Sequence, residues 1–191
     1  WTHTSTANRI ELLEADKVDI VLANFTKTPE RAEKVDFANP YFKVSIGVIS
    51  PKSAPITDVA QLKGKKLILN KGSSQDRYFT DHHPEIELIK FDRISDGLSA
   101  LLDGRADALS QDNFLVFAWE REHADLIVGV QALGPDETIN PAVKKGNAEL
   151  LNWLNEEIDK LTKEKFFYTV YDATLRPVYG ESIDPGVVLI D

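Results

Sequence analysis

The chain of 191 residues contains no cysteine. That absence excludes disulfides, thiolate metal sites and a cysteine nucleophile, and it leaves the redox compartment open. No apolar run reaches the roughly 18 to 20 residues that a membrane-spanning helix needs, and residues 1–7 have no hydrophobic signal-peptide core. Clustered lysine and arginine are missing as well. With a formal net charge of −9, nucleic acid and anionic membrane surfaces are poor partners, because phosphate binding needs a basic patch. The acidic residues are spread along the chain and read as a solvated surface. There is no internal repeat and no low-complexity tract.

What the chain does have is 42% hydrophobic and 28% charged residues, enough for a real core in one domain or in two small lobes. After Asn8-Arg9, Ile10 and Leu13 predict a short helix leading into an almost continuously apolar strand over 18–23, of the kind a parallel sheet covers on both faces. Further strands are predicted over 45–50, 66–70, 86–91, 106–110 and 126–130. Helical segments alternate with them over 56–62, 75–81, 95–102 and 114–122, which argues for a parallel sheet covered by helices. Beyond Asn140-Pro141 the pattern is helical, with Leu150, Leu151, Leu154, Ile158 and Leu161 on one stripe.

Two places carry binding chemistry. Thr28 is a good N-cap, Pro29 fits the first helical position and Glu30 suits the positive end of the helix dipole. Arg31 therefore stands at the carboxyl edge of a strand, where a guanidinium can hold a carboxylate through two parallel hydrogen bonds. The bland alternative is a surface arginine pairing with Glu30 or Asp36. In Asn70-Lys71-Gly72-Ser73-Ser74, Gly72 allows a tight turn, and the following helix start offers N–H groups beside the Ser73 and Ser74 hydroxyls. The spacing is not that of a phosphate loop, and an ordinary turn with Ser74 as N-cap is the alternative. Adjacent His82 and His83 lack metal-ligand spacing, Trp119 and Trp153 read as packing, and Ser110 has no partners for a nucleophilic triad. No cofactor is implied.

The run from Asn24 to Arg31, reading NFTKTPER, followed by Val35-Asp36-Phe37-Ala38-Asn39-Pro40-Tyr41, resembles the signature of the polar amino-acid-binding proteins of ABC importers, extracytoplasmic solute-binding protein family 3. The turn at Gly72 and the stretch Gly104 to Asp112, reading GRADALSQD, strengthen the likeness. The resemblance implies an α/β fold of the type II periplasmic-binding-protein class, two lobes joined by two crossing segments at 41–45 and 139–143. Lobe 1 would comprise 1–44 and 140–191, and lobe 2 would comprise 45–139. By the same resemblance Arg31 clamps the ligand's α-carboxylate with help from Asn24 and Thr26, while Asn70, Ser73 and Ser74 assist. Asp112 takes the ammonium, unless it is simply the N-cap of the next helix; Asp107 is structural. The implied partners are an amino acid and a membrane permease, in a periplasmic or extracytoplasmic setting, as an anchored lipoprotein in Gram-positive hosts. Residues 140–147, Phe166-Phe167 and 175–180 look most like the cysteine or cystine branch. A ligand-sensing domain of a receptor and a dehydratase-like enzyme of the same fold are the alternatives.

The family's opening strand and helix are not seen before Ala7, and residues 3–6 read as a replaced segment or an artificial start. Lobe 1 is accordingly expected to be incomplete, exposing sheet edges that invite self-association or weaken ligand binding.

Overall fold

The computed structural model describes residues 2–180 and 184–190; Trp1 and Asp191, at the outer limits of the lobe 1 reading, lie outside them. The chain divides into two compact units, residues 1–44 with 136–191 and residues 45–135. Two strands, β3 (Phe42–Pro51) and β7 (Leu126–Ile139), each run from one unit into the other.

The second unit is built on a five-stranded sheet in the order β5-β4-β6-β3-β7, where β4 is Lys66–Asn70, β5 is Glu87–Phe91 and β6 is Ala108–Asp112. Helices α3 (Ser74–His82), α4 (Ile94–Leu102) and α5 (Asn113–Glu122) follow β4, β5 and β6 in turn. Alternate residues of a strand face opposite sides of its sheet, so β4 feeds two cores. Leu67 and Leu69 pack with Ile46, Val48 and Phe79 on one side. Ile68 packs with Ile49, Leu101, Leu109 and Val116 on the other. The alternation of strand and helix is as the sequence predicts, but the sheet is mixed. β4 pairs in parallel with β5 and β6, whereas β3 runs antiparallel to β6. β3 is reached without a crossover helix, by a chain arriving from the first unit, and nothing constrains it to the parallel direction. β7 also continues past Val130 through Gly134 and Pro135 to Ile139.

In the first unit a three-stranded sheet has the order β1-β8-β2, with β1 Ile20–Val21, β2 Val35–Phe37 and β8 Ala142–Lys144. Both outer strands pair antiparallel with β8. Ala142 faces Leu13, Val21, Phe25 and Val35. Val143, on the opposite face, meets Leu154 and Ile158 of α6 (Ala148–Lys163). α1 (Arg9–Glu14), α2 (Pro29–Lys34), α7 (Phe166–Thr174) and α8 (Arg176–Tyr179) complete the unit. The reading of 18–23 as a parallel strand buried on both faces is corrected. β1 is two residues long, antiparallel and at the edge, and Leu22 is 53% exposed because the pairing with β8 ends at Val21. At the start of β3, Leu189 bridges to Phe42 and Lys43 donates its backbone N–H to Val188. Among the described residues no helix is long and apolar enough to cross a membrane.

β7 lies against the loop at Ile56 so closely that a Cβ on Gly129 would fall 1.9 Å from the Ile56 carbonyl oxygen. Gly129→Ala should therefore destabilise the second unit by about 1–3 kcal/mol, since backbone must move to admit the methyl. An unchanged thermal midpoint would show that this contact gives way freely.

Candidate ligand site

In the first unit the chain between β1 and α2 is held by side chains that reach its carbonyl oxygens. Thr28 caps α2, its hydroxyl accepting from the Arg31 N–H at 3.3 Å, with Pro29 at the first position. That turn brings the Arg31 guanidinium back over the chain, where Nη1 donates to the Thr26 carbonyl at 2.7 Å. The same guanidinium lies 4.8 Å from the centre of the Phe25 ring, a favourable place for a cation over a π face. Phe25 is buried against Phe37. Arg9, from α1, brings a second guanidinium to 5.7 Å from the same ring and donates to the Asn24 carbonyl. Tyr41 donates its hydroxyl to the Ala23 carbonyl at 3.0 Å. Asn24, Thr26 and Arg31 are thus brought together; their supports are Arg9, to which the sequence reading gave no role, and Tyr41, which it placed only in the motif and in a crossing segment. The Asp36 alternative for Arg31 is displaced: Asp36 pairs with Lys145 at 2.8 Å and accepts the Gly146 N–H. The Lys145 hydrogen bond, followed by that of Gly146, holds the Asp36 carboxyl below its usual range.

In the second unit Asn70 and Asp112 end the neighbouring parallel strands β4 and β6 at their carboxyl edge, where open α/β sheets bind ligands. The Asn70 amide donates to the carbonyls of Phe91 and Asp92 at 3.0 and 3.1 Å, fastening β4 to the end of β5. Gly72 turns the chain at φ +76°, and Ser73, not Ser74, is the N-cap of α3, accepting from the Asp76 N–H at 3.0 Å. The Asp76 carboxylate accepts the Gly72 N–H at 2.9 Å and pairs with Lys90 at 2.6 Å. Ser74 is buried at the first position of α3. An open cavity of about 450 Å³ borders Ser73, Asp76, Arg77, Thr80 and Lys90.

Asp112 is 3% exposed and stands at the N-cap position of α5, but its side chain makes no capping bond. Instead its carboxylate accepts from Gln75 Nε2 at 2.6 Å. Asn113 takes the neighbouring N–H groups, those of Phe114 and Ser45. Gln75 carried no sequence signal beyond its place one residue after Ser74.

The residues set aside from the site have ordinary partners. Ser110 donates to the Gly47 carbonyl, and Asp107 accepts the Lys66 N–H. His82 and His83 pack on Tyr78. Trp119 packs on the second unit's core, whereas Trp153 is 54% exposed, because it falls on the outer face of α6. Among the described residues no group of three or more His, Asp or Glu could hold a metal ion.

Two α/β units linked by two strands make this a protein of the type II periplasmic-binding-protein fold. The chain belongs to the bacterial extracellular solute-binding proteins, family 3, which it matches over residues 1–173. It is 52% identical, with a TM-score of 0.96, to a solute receptor for L-cysteine of Neisseria gonorrhoeae, over 100% of this chain and 77% of that one. To a cysteine-binding protein from Campylobacter jejuni it is 48% identical, again with a TM-score of 0.96, over 98% of this chain and 76% of that one. The ABC transporter glutamine-binding protein GlnH of Bacillus subtilis is 28% identical over 92% of this chain, which spans 64% of that relative's length.

Burial pushes the Tyr41 phenol up to about 12, against a smaller opposing effect of Arg9. A raised phenol favours folding fully below the unfolded pKa of about 10 and loses that contribution as pH climbs towards the folded value. Tyr41→Phe should therefore flatten the fall in stability above pH of about 10, while costing about 1 kcal/mol at neutral pH through the lost bond to Ala23. Denaturant titrations of both proteins across that range are the check, and parallel curves would refute it.

Proposed function

We propose that this chain is the solute-binding component of an amino-acid ABC importer, working outside the cytoplasm with a membrane permease, and that its ligand is L-cysteine. The observation that carries the choice of ligand is the identity of 52% and 48% to two receptors whose ligand is cysteine, across essentially the whole chain. The chemistry agrees with a zwitterion. Arg31 offers a fork-shaped cation already oriented by the Thr26 carbonyl and the Phe25 ring, and such a fork matches a carboxylate as an ammonium cannot. Asp112 offers a buried carboxylate that is not spent on capping its own helix, complementary to an α-ammonium. Asn24 and Thr26 would assist at the carboxylate end, and Asn70, Ser73 and Ser74 at the turn.

The cation is on one unit and the anion on the other. A ligand that engages both gains contacts in a closed state that an open state lacks, and that difference drives closure. The strands β3 and β7 would carry the hinge. The role is one of binding, and no catalytic residue is assigned. We read the exposed Leu22 beside the edge strand β1 as the point through which the first unit could self-associate; light scattering of Leu22→Lys against the parent chain tests this, and identical masses would remove it.

Two substitutions test the reading by calorimetry under reducing conditions. Arg31→Lys should weaken L-cysteine binding by about tenfold to a hundredfold, the range expected for a lost charge-assisted hydrogen bond. Asp112→Asn should weaken L-cysteine while sparing 3-mercaptopropanoate, which lacks the ammonium. Full affinity in Arg31→Lys, or equal losses for both ligands in Asp112→Asn, would contradict the assignment.

A further inference from the structure

Residues 184–190 return to the strand β3 where it leaves the first unit. Pro185–Val187 is a single 3₁₀ turn. It is closed by Asp184, whose carboxylate accepts the Gly186 N–H at 2.7 Å, and by the Pro185 carbonyl, which accepts the Val188 and Leu189 N–H groups at 3.0 and 2.8 Å. The turn delivers Val188 and Leu189 to the crossing strand. There Lys43 donates its N–H to the Val188 carbonyl at 2.7 Å, and Leu189 bridges antiparallel to Phe42. Val188 and Leu189 are 1% and 5% exposed, whereas Val187 beside them is 44% exposed. The segment follows the residues, 1–173, over which the chain matches its family.

The attachment falls at the boundary between the units, the first of which reaches Val44 and the second of which begins at Ser45. On the far side Ser45 donates its N–H to Asn113, and Ile46 pairs with Asp112 of β6. Lys43 is therefore held on one side and Ser45 on the other, with the buried Val44 between them. The other crossing strand differs: β7 passes the boundary at Gly134-Pro135, with Gly134 at φ +75°, a conformation that glycine adopts at no steric cost. Phe42, Lys43, Val188 and Leu189 all belong to the first unit, so a movement between the units need not break their attachment. A crossing strand stiffened in this way has fewer open conformations to surrender on closing. We infer that residues 184–190 are a strap on the hinge: they stiffen β3 at Phe42 and Lys43, narrow the range of open arrangements, and thereby strengthen ligand binding through the hinge rather than through a ligand contact. The gain in binding rests on the reading of this protein as a receptor that closes on its ligand.

The test compares the parent chain with Leu189→Ser, which removes the buried anchor, and with Val187→Ser on the exposed side of the same turn. Hydrogen exchange at the Lys43 amide reports the strap, and thermal melts confirm folding. Because the chain has no cysteine, Glu33→Cys and Asp103→Cys, at two exposed positions, can carry one thioether-linked spin label on each unit. In ligand-free protein Leu189→Ser should speed Lys43 exchange by about tenfold and broaden the distribution of label distances, whereas Val187→Ser should do neither. Calorimetry on the unlabelled chains should show L-cysteine binding weakened by about threefold to tenfold in Leu189→Ser alone, since fewer molecules are poised to close. If Leu189→Ser does not fold, Asp184→Ala loosens the turn without touching the buried anchor and should produce the same changes. Unchanged exchange, an unchanged distance distribution, or unchanged affinity in a parent chain that binds would overturn the strap. If the parent chain does not bind L-cysteine, the receptor reading fails instead, and the ligand-free exchange and distance measurements still decide the strap.

Discussion

Three backbone carbonyls, those of Ala23, Asn24 and Thr26, organise the charge of the first unit. Each is occupied by a different side chain: Tyr41, Arg9 and Arg31. A half-buried carbonyl needs a donor, and here two of the donors are guanidiniums. The segment that closes the backbone's hydrogen bonding therefore also fixes two positive charges on one aromatic ring. Arg31 is held by the Thr26 carbonyl and the Phe25 ring, which would limit the entropy lost in binding the proposed carboxylate. The burial of Phe25 follows from the same geometry, and so does the raised phenol of Tyr41.

On the second unit the Asp112 carboxylate is fixed by comparable means, the Gln75 amide on one side and the Gln111 restraint on its backbone N–H on the other. A cysteine-free chain suits the proposed ligand. A thiol amino acid attacks disulfides and forms mixed disulfides, and these 191 residues present no sulfur of that kind to be exchanged.

Much of the fold was legible where its signals are local. The strand at 66–70 coincides with β4, and Thr28, Pro29 and Gly72 act where capping and turn chemistry place them. The stripe on α6 packs as its spacing requires, through Leu154 and Ile158. What escaped is non-local or too short to show a period. β2 and β8 are three residues each, and only pairing with segments distant in sequence makes them strands. The strand predicted over 126–130 stops short, and β7 runs on through Gly134-Pro135 to Ile139. Arg9 and Gln75 were invisible as supports because their partners, Asn24 and Asp112, are 15 and 37 residues away. The direction of β3 likewise depends on where the chain arrives from, which no window of residues records.

The antiparallel attachment of β1 and β2 to β8 has a consequence for biosynthesis. Every residue of the second unit lies between positions 45 and 135, whereas β1 and β2 wait for partners at 142–144. A ribosome or export channel releasing this chain from its amino end delivers a complete second unit first, while the edges of β1 and β2 stay unpaired. At about 5–20 residues per second that interval lasts several seconds. The apolar stretch at 18–23 is then the segment most in need of a chaperone's cover, and mutations that speed pairing at β8 would shorten its exposure without altering the finished molecule.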